Sequence, residues 1–111
     1  VVVKDGVTTL TLTVTNTGST STYGWMNAFG DFSMLSSGVK LIDVQNRLVY
    51  SPGKGENGAC MCSGYDNSAL EAGASRSVYT TFKELPEGVT AIDVKIEGIT
   101  EPFENIPVTR E

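Results

Sequence analysis

Apolar and polar residues alternate along most of this chain, and the period of two is typical of β-strands with one buried side. The clearest stretch is 8–16, Thr-Thr-Leu-Thr-Leu-Thr-Val-Thr-Asn, in which three apolar residues alternate with threonines. The alternation resumes over 75–82 and over 89–97. Each of these segments predicts a half-buried strand.

Shorter strands are predicted elsewhere in the chain. Segments 39–44 and 47–50 flank a Gln-Asn pair and predict a tight hairpin. Segment 103–108 predicts a last short strand, and the prolines within and beside it favour an edge position, because proline cannot donate a backbone hydrogen bond to a neighbour. Segment 23–35 is aromatic but interrupted by glycines, which indicates a bulged strand or two short ones.

No segment shows sustained helical periodicity. Threonine-rich strands separated by Gly and Pro turns predict an all-β fold, an antiparallel β-sandwich of about seven strands. The length of 111 residues, or 11.8 kDa, suits a single domain spanning 1–111. The predicted core consists of the apolar residues of the alternating strands, namely Leu10, Leu12, Val14, Leu41, Val78, Phe82, Ile92, Val94 and Ile96.

The chain is acidic, with a net charge of -5 and eight scattered basic residues. Binding a polyanion requires clustered Lys and Arg that displace its counterions, so the composition argues against nucleic acid and against anionic membrane surfaces. No apolar run approaches the roughly 18 residues of a spanning helix, which predicts no membrane insertion by this chain. Because the chain begins inside a strand-like segment, we expect a mature product or an excised domain.

The chain contains no histidine, so it lacks the usual general base of Ser-His-Asp and Cys-His catalysis. Two carboxylate pairs remain as candidates for acid–base hydrolysis, Glu84 with Glu87 and Glu101 with Glu104. Both pairs lie in or near predicted turns of an acidic chain, which favours ordinary solvated side chains. We therefore predict no catalytic residue, no enzyme activity and no cofactor.

Several short motifs resemble those of a known group of proteins. They are Leu12-Thr-Val-Thr-Asn16, Leu70-Glu-Ala-Gly-Ala-Ser75 with Val78-Tyr-Thr-Thr-Phe82, and Tyr50-Ser-Pro through Cys60-Met-Cys-Ser63 with Phe103-Glu-Asn-Ile-Pro-Val108. On these motifs the chain resembles secreted immunoglobulin-like domains of Gram-positive bacteria, envelope-associated domains of actinobacteria and the mycobacterial immunoprotective extracellular antigens. The resemblance implies an extracytoplasmic immunoglobulin-like β-sandwich, and it transfers no catalytic residue.

The two cysteines, Cys60 and Cys62, stand one residue apart in a long loop over 51–71. A secreted chain with an even number of cysteines is normally oxidised, which favours a local disulfide. In extended backbone this spacing lies near the upper Cα separation that a disulfide tolerates, so the bond requires a bent loop. Redox catalysis, a metal site and pairing with another chain remain open as alternatives.

Each alternative for the cysteine pair meets a specific obstacle. A redox thiol needs nearby positive charge, but Lys54 is the only basic residue of the loop. A zinc site would have to add two carboxylates to the two thiolates, because the chain has no histidine. A calcium site using Glu56, Asp66 and Asn67 lacks the spacing of a calcium-binding loop, so ordinary turn chemistry is favoured and we predict no metal.

Three aromatic residues are the candidate binding residues. Tyr50 and Tyr65 flank the cysteines at the two ends of the long loop, and loops on a rigid sandwich are where such folds place binding residues. Trp25 offers a stacking surface for a sugar or a peptide, although a lone tryptophan in a small sandwich more often lies in the core.

We therefore expect a non-catalytic interaction or spacer module, extracellular or associated with the cell envelope, whose partner is a protein or another envelope component. The alternative is a thiol–disulfide exchange domain that uses Cys60 and Cys62. A reduction potential near that of known oxidoreductases, with turnover of a mixed disulfide, would favour the exchange domain.

Overall fold

The computed structural model describes residues 1–25, 38–53, 61–62 and 69–111. Within these residues the protein is all-β, and its strands form two four-stranded sheets. In chain order the strands are β1 (Val2–Lys4), β2 (Val7–Thr15), β3 (Val39–Asp43), β4 (Leu48–Tyr50), β5 (Ser75–Lys83), β6 (Ala91–Ile96), β7 (Phe103–Pro107) and β8 (Thr109–Arg110). None of the described segments forms a helix long and apolar enough to cross a membrane.

The first sheet has the strand order β5-β2-β1-β8. Strands β1 and β2 form a hairpin with the two-residue turn Asp5-Gly6, in which φ is 53° and 81°. Positive φ at both turn positions is the type I′ geometry, which Asp-Gly favours because glycine has no Cβ to clash. β2 pairs with β5 in antiparallel fashion over nine positions, and β8 pairs with β1 in parallel.

The second sheet has the strand order β4-β3-β6-β7. Strands β3 and β4 form the predicted hairpin, but the connecting turn covers 44–47 rather than two residues. The carboxylate of Asp43 accepts the backbone N–H of Asn46 at 3.2 Å and the side-chain amide of Asn46 at 2.7 Å. These bonds turn the chain immediately after Asp43 and so end β3 there. Strand β7 lies at the edge of the sheet, as its prolines predicted.

The two sheets face each other across one shared core. Most of the predicted core residues are buried, namely Leu10, Leu41, Val78, Phe82, Ile92, Val94 and Ile96. Leu12 and Val14 are instead half-buried and pack against the margin of the core, because they lie toward the far end of β2. The core also takes in Val3, Trp25, Val39, Leu70, Leu85 and Val89.

Chain segments connect the two sheets along both sides of the sandwich. On one side β7 of the second sheet continues through Val108 into β8 of the first, where the N–H of Thr109 donates to the carbonyl of Val1 at 2.8 Å. On the other side the chain leaves β4, and the N–H of Gly53 donates to the carbonyl of Thr81 in β5 at 2.7 Å. Both edges are therefore bridged by backbone hydrogen bonds.

Two details of the predicted fold need correction. The described residues form eight strands rather than about seven: β1 was not predicted, and the last segment passes from one sheet to the other and continues beyond the predicted strand as β8. The sandwich is mostly antiparallel, but the pairing of β1 with β8 is parallel. The strand or strands predicted over 23–35 fall mostly on residues 26–37, which lie outside the described residues.

Candidate functional site

The long loop is attached to the outer edge of β5. The N–H of Met61 donates to the carbonyl of Gly53 at 2.9 Å, and the carbonyl of Met61 accepts both the N–H of Thr81 at 3.1 Å and its hydroxyl at 2.6 Å. Cys62 forms an isolated antiparallel bridge with Thr80. These contacts hold the backbone at Met61 and Cys62 against a strand of the sandwich.

The far end of the loop is held by Asn16, at the end of β2. Its amide nitrogen donates to the carbonyls of Thr20 and Leu70, both at 2.8 Å, and its amide oxygen accepts the N–H of Gly18 at 2.9 Å. Leu70 also exchanges two backbone hydrogen bonds with Thr22, at 2.8 and 2.9 Å. A single buried side chain thus connects the 16–22 turn to the point where the long loop ends.

Cys62 is buried, with 8% of its surface exposed, and it carries no free thiol. Cys60 lies outside the described residues, so the predicted bond between Cys60 and Cys62 stays a prediction. The same holds for the other loop residues considered for binding or for a metal, namely Lys54, Glu56, Tyr65, Asp66 and Asn67.

Replacing Cys60 and Cys62 together with serine is expected to lower the free energy of unfolding by no more than about 2 kcal/mol, because closing so short a ring restricts the unfolded chain little. Urea unfolding of the variant and the wild type measures the difference. The unreduced wild type is expected to weigh a pair of hydrogens less than the reduced form and to react with no thiol reagent. A larger loss accompanied by bound metal, or dimers that dissociate on reduction, would contradict the local bond.

Trp25 is 9% exposed and belongs to the core cluster, which agrees with the core alternative for a lone tryptophan. So little exposed surface leaves no open ring face on which a sugar or a peptide could stack. Tyr23, two residues earlier, is 77% exposed. Tyr50 is half-buried and packs against the core with part of its ring.

A groove of about 560 Å³ runs between β4 and the end of β5, and we call it the edge groove. Its lining residues are Leu48, Val49, Tyr50, Ser51, Lys83, Glu84 and Pro86. Of the predicted binding residues, Tyr50 lines this groove. Lys83 lines it as well, so an aromatic and a charged side chain lie in the same groove.

Leu48 gives the edge groove its apolar character. It pairs with Asp43 across the β3–β4 hairpin and so shares the side of the sheet that faces the core. Asp43 is only 5% exposed there, whereas Leu48 is 48% exposed. An inward-facing apolar side chain is normally covered by the facing sheet. Because β4 is an edge strand with β3 on one side only, Leu48 remains about half exposed to solvent.

The neighbouring residues extend this apolar surface around the edge of the sheet. Val49 is 60% exposed on the outer side, and Val44 in the hairpin turn is 64% exposed. We call Val44, Leu48 and Val49 the apolar edge patch. The sequence held a signal for it, since Leu-Val-Tyr over 48–50 is an apolar run rather than an alternation.

The carboxylates considered for catalysis are all solvent-exposed. Glu84 lines the edge groove, and the others, Glu87, Glu101 and Glu104, lie on the surface. Across the described ranges, no three acidic or cysteine side chains come close enough together to hold a metal ion.

A second cleft, of about 330 Å³, lies at the end of the second sheet near the β3–β4 turn. Two aspartates line it, and each accepts hydrogen bonds within the protein. Asp43 accepts from Asn46 as described above, and Asp93 accepts the N–H of Asn105 at 3.0 Å. Asn105 has a φ of 54°, so this bond supports a left-handed residue beside the bulge between β6 and β7. Asp43 therefore stabilises the β3–β4 turn, and Asp93 stabilises the bulge between β6 and β7.

No protein-family model, curated protein or solved structure matches the chain. The surfaces described above are therefore the basis on which a function can be argued.

Proposed function

We propose that this chain is a non-catalytic interaction module of the bacterial cell envelope, with an extracytoplasmic immunoglobulin-like β-sandwich fold. Two packed sheets of four strands support a sandwich. The closely spaced cysteines and the short motifs that resemble secreted bacterial domains support an oxidising, extracytoplasmic location.

The observation that carries the proposal is the apolar edge patch beside the edge groove. Leu48 and Val49 are 48% and 60% exposed on opposite sides of one short edge strand. Exposed apolar side chains that cluster and are rimmed by polar residues mark interaction sites. Lys83 and Glu84 supply such a rim on the facing strand end. The chemistry of the patch favours a protein component of the envelope as the partner.

The burial of Cys62 favours the module over the thiol–disulfide exchange domain. Catalytic cysteines react through a partially exposed thiolate, whereas Cys62 is 8% exposed and held against β5. A module requires only that the loop be kept in place. We expect that the purified protein does not catalyse the reduction of insulin by dithiothreitol.

Replacing both Leu48 and Val49 with serine is expected to weaken binding to envelope proteins at least about tenfold, or about 1.4 kcal/mol, because the variant removes the apolar contacts of the patch. The probe is a detergent-solubilised envelope protein fraction from a Gram-positive bacterium, immobilised and titrated with the purified domain. Isolated cell-wall sacculi, titrated in parallel, serve as the non-protein component.

The matched control is Phe103→Ser, which changes an apolar residue that is 45% exposed on β7, at the opposite edge of the second sheet from β4. We expect this variant to bind like the wild type. If the Leu48→Ser, Val49→Ser double variant binds the envelope protein fraction as tightly as the wild type, the proposed surface is wrong. Wild-type binding to sacculi without binding to the protein fraction would contradict a protein partner.

A further inference from the structure

The outer side of the β2–β5 pair is a continuous row of hydroxyl groups with one aromatic ring. Three cross-strand pairs form it, Thr11 with Tyr79, Thr13 with Ser77 and Thr15 with Ser75. All six side chains are exposed to solvent. We call these residues the hydroxyl face. It spans about 14 Å along the strands, at about 3.4 Å per residue.

The hydroxyl face differs in charge from the rest of this acidic protein. Strands β2 and β5 contain none of the thirteen Asp and Glu residues of the chain. Their two basic residues, Arg76 and Lys83, belong to β5, where Arg76 lies opposite Val14 on the inward side and Lys83 lies at the end of the strand. The centre of the face is therefore uncharged, which suits neither a metal cation nor a polyanion.

Two of the three cross-strand pairs bring their hydroxyl groups close together. The hydroxyls of Thr15 and Ser75 are hydrogen-bonded at 2.8 Å, and those of Thr13 and Ser77 lie 3.5 Å apart. The bond between Thr15 and Ser75 uses one hydrogen and one lone pair, so this pair still offers one donor and three acceptor positions. β-Branched threonines have few rotamers, and the strands beneath them are paired along their length, so ordering the face on binding costs little entropy.

Tyr79 adds a flat apolar surface to this row of donors and acceptors. It is 45% exposed, and its partner across the strands is Thr11. A ring beside hydroxyls can pack against the apolar face of a sugar while the hydroxyls bond to its edge. Protein interfaces, by contrast, are depleted in serine, and serine and threonine are rare among the residues that dominate protein binding.

We propose that the hydroxyl face binds a neutral polysaccharide. Tyr79 stacks on one sugar unit. The Thr and Ser side chains of the two strands exchange hydrogen bonds with the hydroxyl groups of the neighbouring sugar units in the polysaccharide. A neutral ligand fits because the face carries no charge at its centre. This site lies on the first sheet, whereas the proposed protein contact lies at the edge of the second, so the two are separate surfaces.

Native affinity electrophoresis tests the proposal with the purified domain in gels that contain laminarin, hydroxyethyl cellulose or glucomannan. At least one of these polysaccharides is expected to slow migration of the wild type. Tyr79→Ala is expected to raise the dissociation constant for that polysaccharide at least about tenfold. A Thr11→Val, Thr13→Val double variant, which keeps the β-branched shape and removes the hydroxyls, is expected to raise it as well.

The matched control is Tyr23→Ala, which removes a ring that is 77% exposed outside the hydroxyl face and is expected to leave migration unchanged. Thermal unfolding of each variant establishes that it is folded. Unchanged migration of the wild type in all three gels would overturn the proposal, as would wild-type affinity in Tyr79→Ala. The Leu48→Ser, Val49→Ser variant is expected to keep its polysaccharide affinity. The test of the polysaccharide site is therefore independent of the test of the apolar edge patch.

Discussion

Replacing Leu10 with alanine is expected to lower the free energy of unfolding by about 2–5 kcal/mol. Leu10 is 3% exposed and belongs to the shared core, so truncation leaves a cavity that the close-packed residues around it cannot collapse to fill. Chemical denaturation with urea, followed by circular dichroism, measures the change from the shift of the unfolding midpoint.

Leu12→Ala is the matched comparison, because Leu12 has the same side chain, in the same strand and on the same side of the sheet. It is only half-buried, so the expected cost is smaller, about 1–2 kcal/mol. Equal costs at Leu10 and Leu12 would mean that the core extends as far as Leu12. A cost near zero at Leu10 would contradict the sandwich core itself.

Asn16→Ala is expected to lower the free energy of unfolding by about 2–4 kcal/mol, since it removes the three hydrogen bonds that the buried side chain makes. The carbonyl of Leu70, a residue that is 2% exposed, then keeps only the bond from the N–H of Thr22. Because Asn16 also holds the end of the long loop, amide hydrogen exchange at Thr22 and Leu70 is expected to accelerate in the variant.

Two further variants make the result at Asn16 specific. Asn16→Asp keeps the oxygen that accepts from Gly18 but replaces the donating nitrogen, so a cost close to that of alanine would assign the effect to the two bonds that the amide donates. Gln45→Ala removes an exposed amide and is expected to change stability by less than about 0.5 kcal/mol. A comparable loss at Gln45 would contradict the role assigned to Asn16.

Strand periodicity predicted the main elements well because it depends on which side of a strand is buried. The alternation over 8–16 and 75–82 corresponds to β2 and β5, and the prolines of the last segment marked β7 as an edge strand. The hairpin of β1 and β2 was not predicted, although Asp5-Gly6 between two valine-rich segments is a strong hairpin signal. Local pattern was sufficient for β2, β5 and β7 because alternation and the positions of prolines are read from neighbouring residues alone.

The features that sequence reasoning did not predict depend on contacts between distant segments. Asn16 stands at the end of the alternating stretch 8–16, and its bond to Leu70 spans 54 positions along the chain. The apolar run Leu48-Val49-Tyr50 could be seen in the sequence, but whether it is buried or exposed depends on its place at a sheet edge, which no local pattern specifies. The hydroxyl face required the register between β2 and β5, which sets each threonine of one strand beside a hydroxyl or ring of the other.

The parallel pairing of β1 with β8 determines how the domain would bear tension. The N–H of Thr109 bonds to the carbonyl of Val1, and the N–H of Glu111 bonds to the carbonyl of Val3 at 3.0 Å. Since the two strands run in the same direction, a force pulling Val1 and Glu111 apart slides one strand along the other. Such a force loads the hydrogen bonds between the two strands in shear, all at the same time rather than one after another. The strand pair would therefore resist stretching more than a pair whose bonds break in sequence.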